Sequence, residues 1–328
     1  VGIKAARANK FNTDWLNYLP PEPQQLGIKV FDDYPIEDLV DYIDWTPFFI
    51  AWELAGRYPR ILDDEVVGEQ ARDLYRDARE MLDDIVTNRR LQARAVIGLY
   101  RANSVGDDDI ELYADDNRRG EVAVIHTLRQ QIKKPDGQPN FALADFVAPK
   151  AAGVADYLGA FAVNAGFGLE EIVGAYERDH DDYHAIMAKA LADRLAEALA
   201  ERMHAVIRQE YWGYTADAGL DNDSLISEKY QGIRPAPGYP ACPDHTEKPM
   251  LWKLLDVEKT VGMSLTDSYA MVPTAAVCGW YFSHPESRYF GVGKINRDQV
   301  RDYAKRKGMD TGEAERWLGP NLGYDADG

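Results

Sequence analysis

The segment RPAPGYPACPDHTEKP (234–249) combines an arginine with prolines, a glycine and a tyrosine. Its first prolines lack N–H groups, which excludes a helix and favours an extended loop. Arg234 can form two parallel hydrogen bonds to a carboxylate. Gly238 allows a ligand to approach the backbone closely, and Tyr239 can supply a wall. These residue types suit a small zwitterion with a carboxylate and a positive centre, but a proline-rich strut explains them about equally well.

Acidic and aromatic residues in other segments fit the same kind of ligand. Asp44, in YIDWTPFF, is followed by a tryptophan and two phenylalanines, and an acid beside aromatic faces suits a cation. Glu228 precedes the arginine by six residues and can reach the same pocket. Tyr289 and Phe290 lie on a predicted strand among small residues. Each of these residues alone is more often part of the core or the surface.

Two histidines raise the alternative of a metallohydrolase. His180 and His184 in HDDYH have a spacing that can place two imidazoles on one metal ion, but the HExxH pattern is missing. A solvated helix face explains them better. Cys242 and His245 form a single Cys-x-x-His without a second pair. We therefore expect no metal site.

The common nucleotide-binding and hydrolase motifs are also missing. GFGLEE and GVGKIN each contain Gly-x-Gly, and neither completes Gly-x-Gly-x-x-Gly. The sequence has no P-loop and no Gly-x-Ser-x-Gly elbow. No side chain is thereby identified as a catalytic acid, base or nucleophile.

Long helices and unevenly spaced strands must position the candidate residues. The hydrophobic pattern predicts helices over 36–54 (kinked or split at Pro47), 63–88, 169–209 and 248–263, and two short ones near the C-terminus. It predicts strands over 94–102, 109–114, 122–128 and 157–166, and two more in SYAMVPTAAVCGWYF and SRYFGVGKI. Since βαβ alternation is missing, the pattern indicates an α+β fold and not a doubly wound sheet.

Composition limits the classes of partner. The net charge is −18; residues 1–228 carry 24 basic and 42 acidic side chains, whereas 229–328 carry 13 of each. Such a chain lacks the basic footprint that nucleic-acid binding needs. No apolar run is long enough to span a membrane. Cys242 and Cys278 are the only cysteines, which favours a reducing cytoplasm.

Segments along most of the chain resemble the C-terminal activation domain of cobalamin-dependent methionine synthase, in the same order from about residue 25 to the end. The long irregular loop RPAPGYPACPDHTEK is the most specific of them. The others are YIDWTPFF, RYPRIL, LADFVAPK, DYLGAFAV, DDYHAIMAKALADRLAEA, GWYFSHPESRYF, RDQVRDYAKRKG and WLGPNLGYDAD.

The resemblance implies a C-shaped α+β domain built on a twisted antiparallel sheet flanked by long helices, unlike a Rossmann fold. The complete enzyme is a methyltransferase that moves a methyl group from methyltetrahydrofolate to homocysteine. The activation domain binds S-adenosylmethionine and donates its methyl group to cobalamin during reductive methylation of inactive cob(II)alamin. Flavodoxin or an equivalent flavoprotein supplies the electron. A non-catalytic module that senses S-adenosylmethionine or docks to a partner is the alternative.

The resemblance also implies roles for individual residues. Arg234 holds the methionine carboxylate, and the backbone from Ala236 through Gly238 to Tyr239 supports the ligand. The other implied binding residues are Asp44, Tyr289, Phe290, Glu228 and Glu197. Phe290 departs from the tyrosine more usual at its position. Because the cofactors carry the reactivity, no residue of this chain need be catalytic.

Missing motifs indicate that the chain is one module of a longer protein. The cobalamin signature Asp-x-His-x-x-Gly is absent from the sequence. We expect residues 1–34 to be irregular and to form a linker or strap from the cobalamin module, and 35–328 to form the S-adenosylmethionine-binding domain. We further expect Tyr239 and the acidic helix face with Asp193 and Glu197 to face the cobalamin domain; a solvated face is the alternative.

Overall fold

The computed structural model describes residues 1–215 and 220–326, and within them six strands form an open, entirely antiparallel sheet in the order β4–β3–β2–β5–β8, with β1 also on β2. The strands are β1 (Gly27–Tyr34), β2 (Gln92–Val105), β3 (Asp109–Tyr113), β4 (Glu121–His126), β5 (Asp156–Phe167) and β8 (Ala276–Tyr281). The short strands β6 (Ser264–Leu265) and β7 (Met271–Val272) pair separately.

Helices cover both faces of this sheet. They are α1 (Ile3–Ala8), α2 (Thr46–Ala51), α3 (Gly68–Thr87), α4 (Leu169–Arg178), α5 (Asp182–Val206), α6 (Asn222–Ile226), α7 (Lys248–Leu255), α8 (Val257–Val261), α9 (Arg297–Lys307) and α10 (Thr311–Trp317). A π-helical turn, Ile207–Tyr211, continues α5. The predicted α+β class is confirmed.

Strand β5 is buried on both faces, and its sequence explains why. Phe161 and Val163 pack into the core on the α5 side, while Ala160 and Ala162 pack into the core on the α7 side. Small residues at alternate positions allow helices to approach both faces of one strand. The predicted strand at 157–166 is confirmed, and it lies between β2 and β8 in the sheet.

The predicted apolar stripe of the long helix is also confirmed. Leu191, Leu195, Leu199 and Met203 are all fully buried in α5, which packs across β5 and β8. Burial of four such side chains stabilises the fold by several kcal/mol, at about 1.5–3 kcal/mol for each. This packing holds the polar face of α5 at a fixed distance from the end of β8.

Three predicted helices are shorter than expected. Pro47 lies in the first turn of α2, which a 3₁₀ turn over Ile36–Tyr42 precedes. The helix predicted over 169–209 is interrupted at His180, whose φ is +57°, and Asp181 caps α5 with its side chain. Asp256, at φ +49°, separates α7 from α8. Residues that adopt positive φ end helices.

Two predictions of irregular or extended backbone are wrong. The opening stretch contains α1 and β1, and β1 pairs with β2 from Gly27 opposite Leu99 to Tyr34 opposite Ala93. SRYFGVGKI forms no strand; Phe290 packs on Phe141, and Val292 and Ile295 pack in the core with α9 and α10. Across residues 1–215 and 220–326, no helix combines the length and apolar character required to cross a membrane.

Candidate functional site

Arg234 lies in a cleft of about 440 Å³ between the proline-rich loop, β8 and α5, here termed the Arg234 cleft. Its lining residues are Glu197, Glu228, Arg234, Pro235, Ala236, Tyr239, Pro240, Ala241, Val277, Tyr289 and Phe290. A second cavity of about 260 Å³ adjoins it, shares Glu197, Glu228 and Arg234 with it, and is also lined by Asp44. The structure thus brings together eight of the nine residues predicted to bind the ligand.

The loop that carries Arg234 is fixed against strand β8. Ile233 and Phe282 exchange backbone hydrogen bonds of 3.1 and 3.0 Å, and Trp280 N donates to Pro235 O at 2.9 Å. A Cβ at Gly279 would lie 2.4 Å from Pro235 O, so only glycine permits this approach. The carbonyl of Pro235 therefore accepts a hydrogen bond from the sheet, and the loop pairs alongside the end of β8.

Gly238 is the predicted site residue that lines neither cavity. Its φ is +95°, and a Cβ there would lie 2.3 Å from Cε1 of His245. The glycine permits the loop to close against the His245 ring. The space that the missing side chain leaves is thus occupied by His245, and the reason predicted for this glycine, close approach of a ligand, does not match its surroundings.

The guanidinium of Arg234 is held on one side by buried groups. Nη2 lies 2.8 Å from Glu201 Oε2, Nη1 donates to Tyr230 Oη at 2.7 Å, and Nη1 lies 3.3 Å from His204 Nδ1. The backbone N–H of Arg234 donates to Tyr289 Oη at 2.9 Å. The side chain keeps 20% of its surface exposed toward the cleft.

Electrostatics keep this arginine charged. Burial lowers the pKa of Arg234, but the negative charge of Glu201, together with Tyr230 and Tyr289, outweighs burial and raises it. A guanidinium that stays ionised and presents its free edge to a cleft can bind a carboxylate in a bidentate manner.

Two carboxylates complement the arginine across the cleft. Burial, and then the charge of Glu201, raise the pKa of Glu228, although Arg234 acts in the opposite direction. Glu197 lies one helical turn before Glu201 on α5 and lines both cavities. Glu197 is half-buried, so a cationic ligand group gains more from it than from a fully solvated carboxylate, whereas Glu228 is exposed at the rim of the cleft.

Aromatic side chains form the remaining walls. Tyr239 and Tyr289 are 53% and 37% exposed, and each lines the Arg234 cleft. Phe290 stacks on Phe141 with ring centroids 5.7 Å apart. A planar heterocycle or a sulfonium can therefore contact aromatic faces while the arginine binds a carboxylate.

The aromatic neighbours of Asp44 have a different role from the predicted one. Trp45, Phe48 and Phe49 are at most 5% exposed and pack together in the core, so none of them is a cation-binding wall. Asp44 itself is half-buried, and its Oδ1 accepts a hydrogen bond from Thr46 N at 3.0 Å at the start of α2. Its other oxygen remains available to the adjoining cavity.

The histidines of HDDYH do not form a metal site. His184 lies 2.7 Å from Asp181 Oδ2 and stacks on Tyr176, while His180 occupies the turn before α5. In the ranges 1–215 and 220–326, no group of three or more His, Cys, Asp and Glu side chains is suited to a metal ion. Cys242 is buried, and burial raises the pKa of its thiol.

Sequence reasoning missed a second layer of polar residues behind Arg234. Glu201, His204 and Arg208 are at most 8% exposed, and Tyr230 contacts both arginines. A signal was present, since Glu197, Glu201, His204 and Arg208 recur at spacings of four, three and four along one helix face. On sequence alone that pattern is typical of a solvated face.

Comparison with known proteins identifies one family and a similar solved structure. Residues 35–308 match the family described as vitamin B12 dependent methionine synthase, activation domain. A solved crystal structure of the MetH reactivation domain bound to AdoHcy is 57% identical to this chain. The match covers 99% of both chains with a TM-score of 0.96.

Proposed function

The chain belongs to the activation-domain family of vitamin B12 dependent methionine synthase, and from this premise we propose that it binds S-adenosylmethionine in the Arg234 cleft and presents the methyl group to cobalamin. The observation that carries the proposal is that one cleft contains an arginine, two carboxylates and two tyrosines. The similar reactivation domain bound to AdoHcy supports it, since AdoHcy is S-adenosylmethionine without the methyl group.

The charges of the site match this ligand group by group. S-adenosylmethionine carries one carboxylate, one ammonium and one sulfonium. Arg234 suits the carboxylate, and Glu197 and Glu228 suit the two cationic groups. Tyr239 and Tyr289 offer faces to the sulfonium or the adenine. Asp44, in the adjoining cavity, is a further acid for the same ligand.

The chain acts by positioning. When bound by the neighbouring domain, reduced cobalamin would supply the nucleophile for the methyl group on sulfur, which would leave AdoHcy in the cleft. The transfer is an in-line displacement, so its rate depends on the direction of the S–CH₃ bond and on exclusion of water. Arg234 and the loop that β8 holds fix one end of the ligand, and the tyrosines cover its other side. No proton transfer by this chain is required.

The same proposal includes partners. The family belongs to a cobalamin-dependent enzyme, so the cobalamin-binding domain is the expected neighbour on the same polypeptide, with residues 1–34 as the connection and β1 already part of the sheet. Exposed Tyr239 and the acids Asp193 and Glu197 on α5 suit the side facing it. Flavodoxin or an equivalent flavoprotein in the cytoplasm supplies the electron.

Calorimetric titration with S-adenosylmethionine tests ligand binding. Arg234→Ala removes a charged hydrogen-bond partner and is expected to weaken binding by roughly 1.5–3 kcal/mol, about tenfold to hundredfold. Arg101→Ala is the matched control, because Arg101 is 19% exposed and pairs with Asp116 away from the cleft. No binding by the unmodified chain, or equal binding by the Arg234 and Arg101 variants, contradicts the proposal.

Charge reversal tests the docking side. Asp193→Lys in the full-length enzyme places a positive charge on the exposed face of α5 and is expected to slow reductive reactivation without changing S-adenosylmethionine affinity. Lys189→Glu is the control on the same helix, at a residue paired with Glu177. Reactivation at the normal rate in the Asp193 variant rejects this orientation.

A further inference from the structure

Glu201 lies between two arginines in the second layer of the site. Its Oε2 is 2.8 Å from Arg234 Nη2, and its Oε1 is 4.0 Å from Arg208 Nη1. The side chains of Arg208 and Glu201 are 0% and 10% exposed. We refer to Arg208, Glu201 and Arg234 as the arginine triad. Arg208 lines neither the Arg234 cleft nor the adjoining cavity, so it is out of reach of a bound ligand.

Within the second layer the triad has one positive charge in excess, and the next carboxylates, Glu197 and Glu228, lie outside the triad in the lining of the cleft. His204, which lies between the two guanidinium groups, is neutral, because burial and then the charges of Arg208 and Arg234 lower its pKa well below the ordinary value. Two guanidinium groups therefore share the single carboxylate of Glu201. A buried charge without a full partner is unfavourable by several kcal/mol, so a counter-charge nearby is strongly attracted.

The hydrogen-bond inventory of the triad leads to the same conclusion. In the described part of the chain, Nε, Nη1 and Nη2 of Arg208 make no hydrogen bond, and Glu201 Oε1 accepts none. Arg208 instead lies over the Tyr230 ring, with Cζ 4.0 Å from the centroid. It is carried by the π-helical turn that continues α5, a local distortion that occurs frequently at functional sites.

We infer that Arg208 is a positioning and specificity-determining residue, which neutralises Glu201 so that the charge of Arg234 remains available to the ligand. Without Arg208, Glu201 would neutralise Arg234, and the cleft would lose its preference for a free carboxylate. The surplus positive charge thus selects ligands with a carboxylate from otherwise identical adenosyl sulfonium compounds. The inference rests on the proposed function and extends it to a residue that does not contact the ligand.

The test compares S-adenosylmethionine with decarboxylated S-adenosylmethionine, which differs only in the carboxylate. The unmodified chain is expected to prefer the carboxylated ligand. Arg208→Met should reduce that preference by roughly tenfold, the effect of one charge acting over several ångströms at an effective dielectric constant near 20. Affinity for the decarboxylated compound should stay the same or rise. Arg208→Lys keeps the charge and is expected to retain the preference.

A double variant separates charge balance from structural damage. Glu201→Gln combined with Arg208→Met removes one charge of each sign, leaves Arg234 charged and unopposed, and should restore the preference. A residue that merely supported the fold would give losses that add or grow in the double variant. The double variant replaces a buried ion pair by uncharged side chains, which is often neutral for stability, and Arg208→Lys provides a second route if the methionine variants do not fold.

The outcomes separate this inference from the proposed function. Failure of the unmodified chain to bind S-adenosylmethionine overturns both. Normal binding with an undiminished preference in Arg208→Met overturns the inference alone, as does loss of the preference in Arg208→Lys. Lowered preference in Arg208→Met, retained preference in Arg208→Lys and recovery in the double variant together support it.

Discussion

Arg129 and Arg208 are both fully buried, but the structure gives their guanidinium groups opposite surroundings. Nε of Arg129 donates to Asp108 at 2.7 Å, Nη1 donates to Asn140 O and Asp145, and Nη2 donates to Asp107 O and Asp145, all at 2.7–3.0 Å. Arg208, by contrast, donates no hydrogen bond from its guanidinium within the ranges the structure describes.

This difference in hydrogen bonding determines what each arginine can do. An arginine whose five N–H groups are all occupied inside the protein has nothing left to offer a ligand, and it acts as a cross-link. Arg129 joins the loop after β4 to the segment around Asp145 in this way. An arginine whose N–H groups are not all hydrogen-bonded inside the protein produces a positive electrostatic potential at the site. Arg208 and Arg234 concentrate that potential beside the cleft, where a carboxylate can use it.

The largest expected effect comes from Arg129→Met. This change leaves the buried carboxylates of Asp108 and Asp145 with fewer partners and is expected to lower the free energy of unfolding by about 3–5 kcal/mol, measured by urea denaturation. Asp108 keeps its contact with Arg7, which limits the loss. Affinity for S-adenosylmethionine among folded molecules should not change.

Arg208→Met is the matched control, because its arginine is equally buried. Its unfolding free energy should fall by no more than about 1 kcal/mol and can rise, since the guanidinium donates no hydrogen bond and removal of a poorly paired buried charge is favourable. Equal destabilisation by the two substitutions would contradict the distinction between an arginine whose N–H groups are all hydrogen-bonded and one whose guanidinium donates no hydrogen bond.

The second effect is stabilisation by the ligand. At a free S-adenosylmethionine concentration of 100 times Kd, the unfolding free energy should rise by about 2.7 kcal/mol, because the ligand binds only the folded chain. A thermal denaturation series at increasing ligand concentration measures this. Arg101→Ala should show the same rise, and Arg234→Met at the same concentration should show much less. A full rise in Arg234→Met would mean that the ligand binds elsewhere.

The third effect is a pH dependence to which His204 of the second layer contributes, together with His284 and His245, whose pKa values burial also lowers. Because the folded-state pKa of His204 lies below its ordinary 6.5, the unfolded chain binds more protons as the pH falls below 6.5. Stability is thus fully present above that pH and decreases below it, by at most about 1.4 kcal/mol per pH unit. His204→Asn should flatten this part of the profile in urea denaturation between pH 5 and 7.

Another histidine provides the control for that slope. His184 is 40% exposed on the side chain and pairs with Asp181 at the start of α5. His184→Asn is the matched substitution at a histidine that is not buried beside the two arginines. If His184→Asn flattened the profile as much as His204→Asn did, burial between two arginines would not be the cause.

The sequence predicts the elements whose side chains are buried better than the elements that are defined by backbone pairing. Strands β2 to β5 and helix α3 carry clear hydrophobic patterns, because one or both of their faces are buried. Strand β1 is exposed over most of its length and is defined by backbone pairing with β2, from Gly27 opposite Leu99 to Tyr34 opposite Ala93, far away in the sequence. No local pattern reports such pairing. SRYFGVGKI has the composition of a strand, but Tyr289 and Phe290 line the cleft, and Val292 and Ile295 pack in the core with α9 and α10.

The residues of the candidate site also divide into those that the sequence predicts and those that it does not. Arg234 and the tyrosines were predictable because the proline-rich loop is unusual and resembles a known family. Arg208 and Glu201 were not, because charged residues on a helix are usually solvated. Their burial follows from the placement of the Arg234 loop and Tyr230 opposite α5. That arrangement depends on tertiary contacts, which no spacing along α5 encodes.

The smallest effect is expected from an arginine of a third kind. Arg101 pairs with Asp116, whose side chain is 83% exposed, so water can replace the arginine at that carboxylate. Arg101→Ala should lower the unfolding free energy by about 0.2–1 kcal/mol, and less in high salt, as urea denaturation at two ionic strengths would show. The three arginines then differ by how fully the protein satisfies and desolvates their partners. A loss at Arg101 as large as that at Arg129 would show that the number of ion pairs matters more than this distinction.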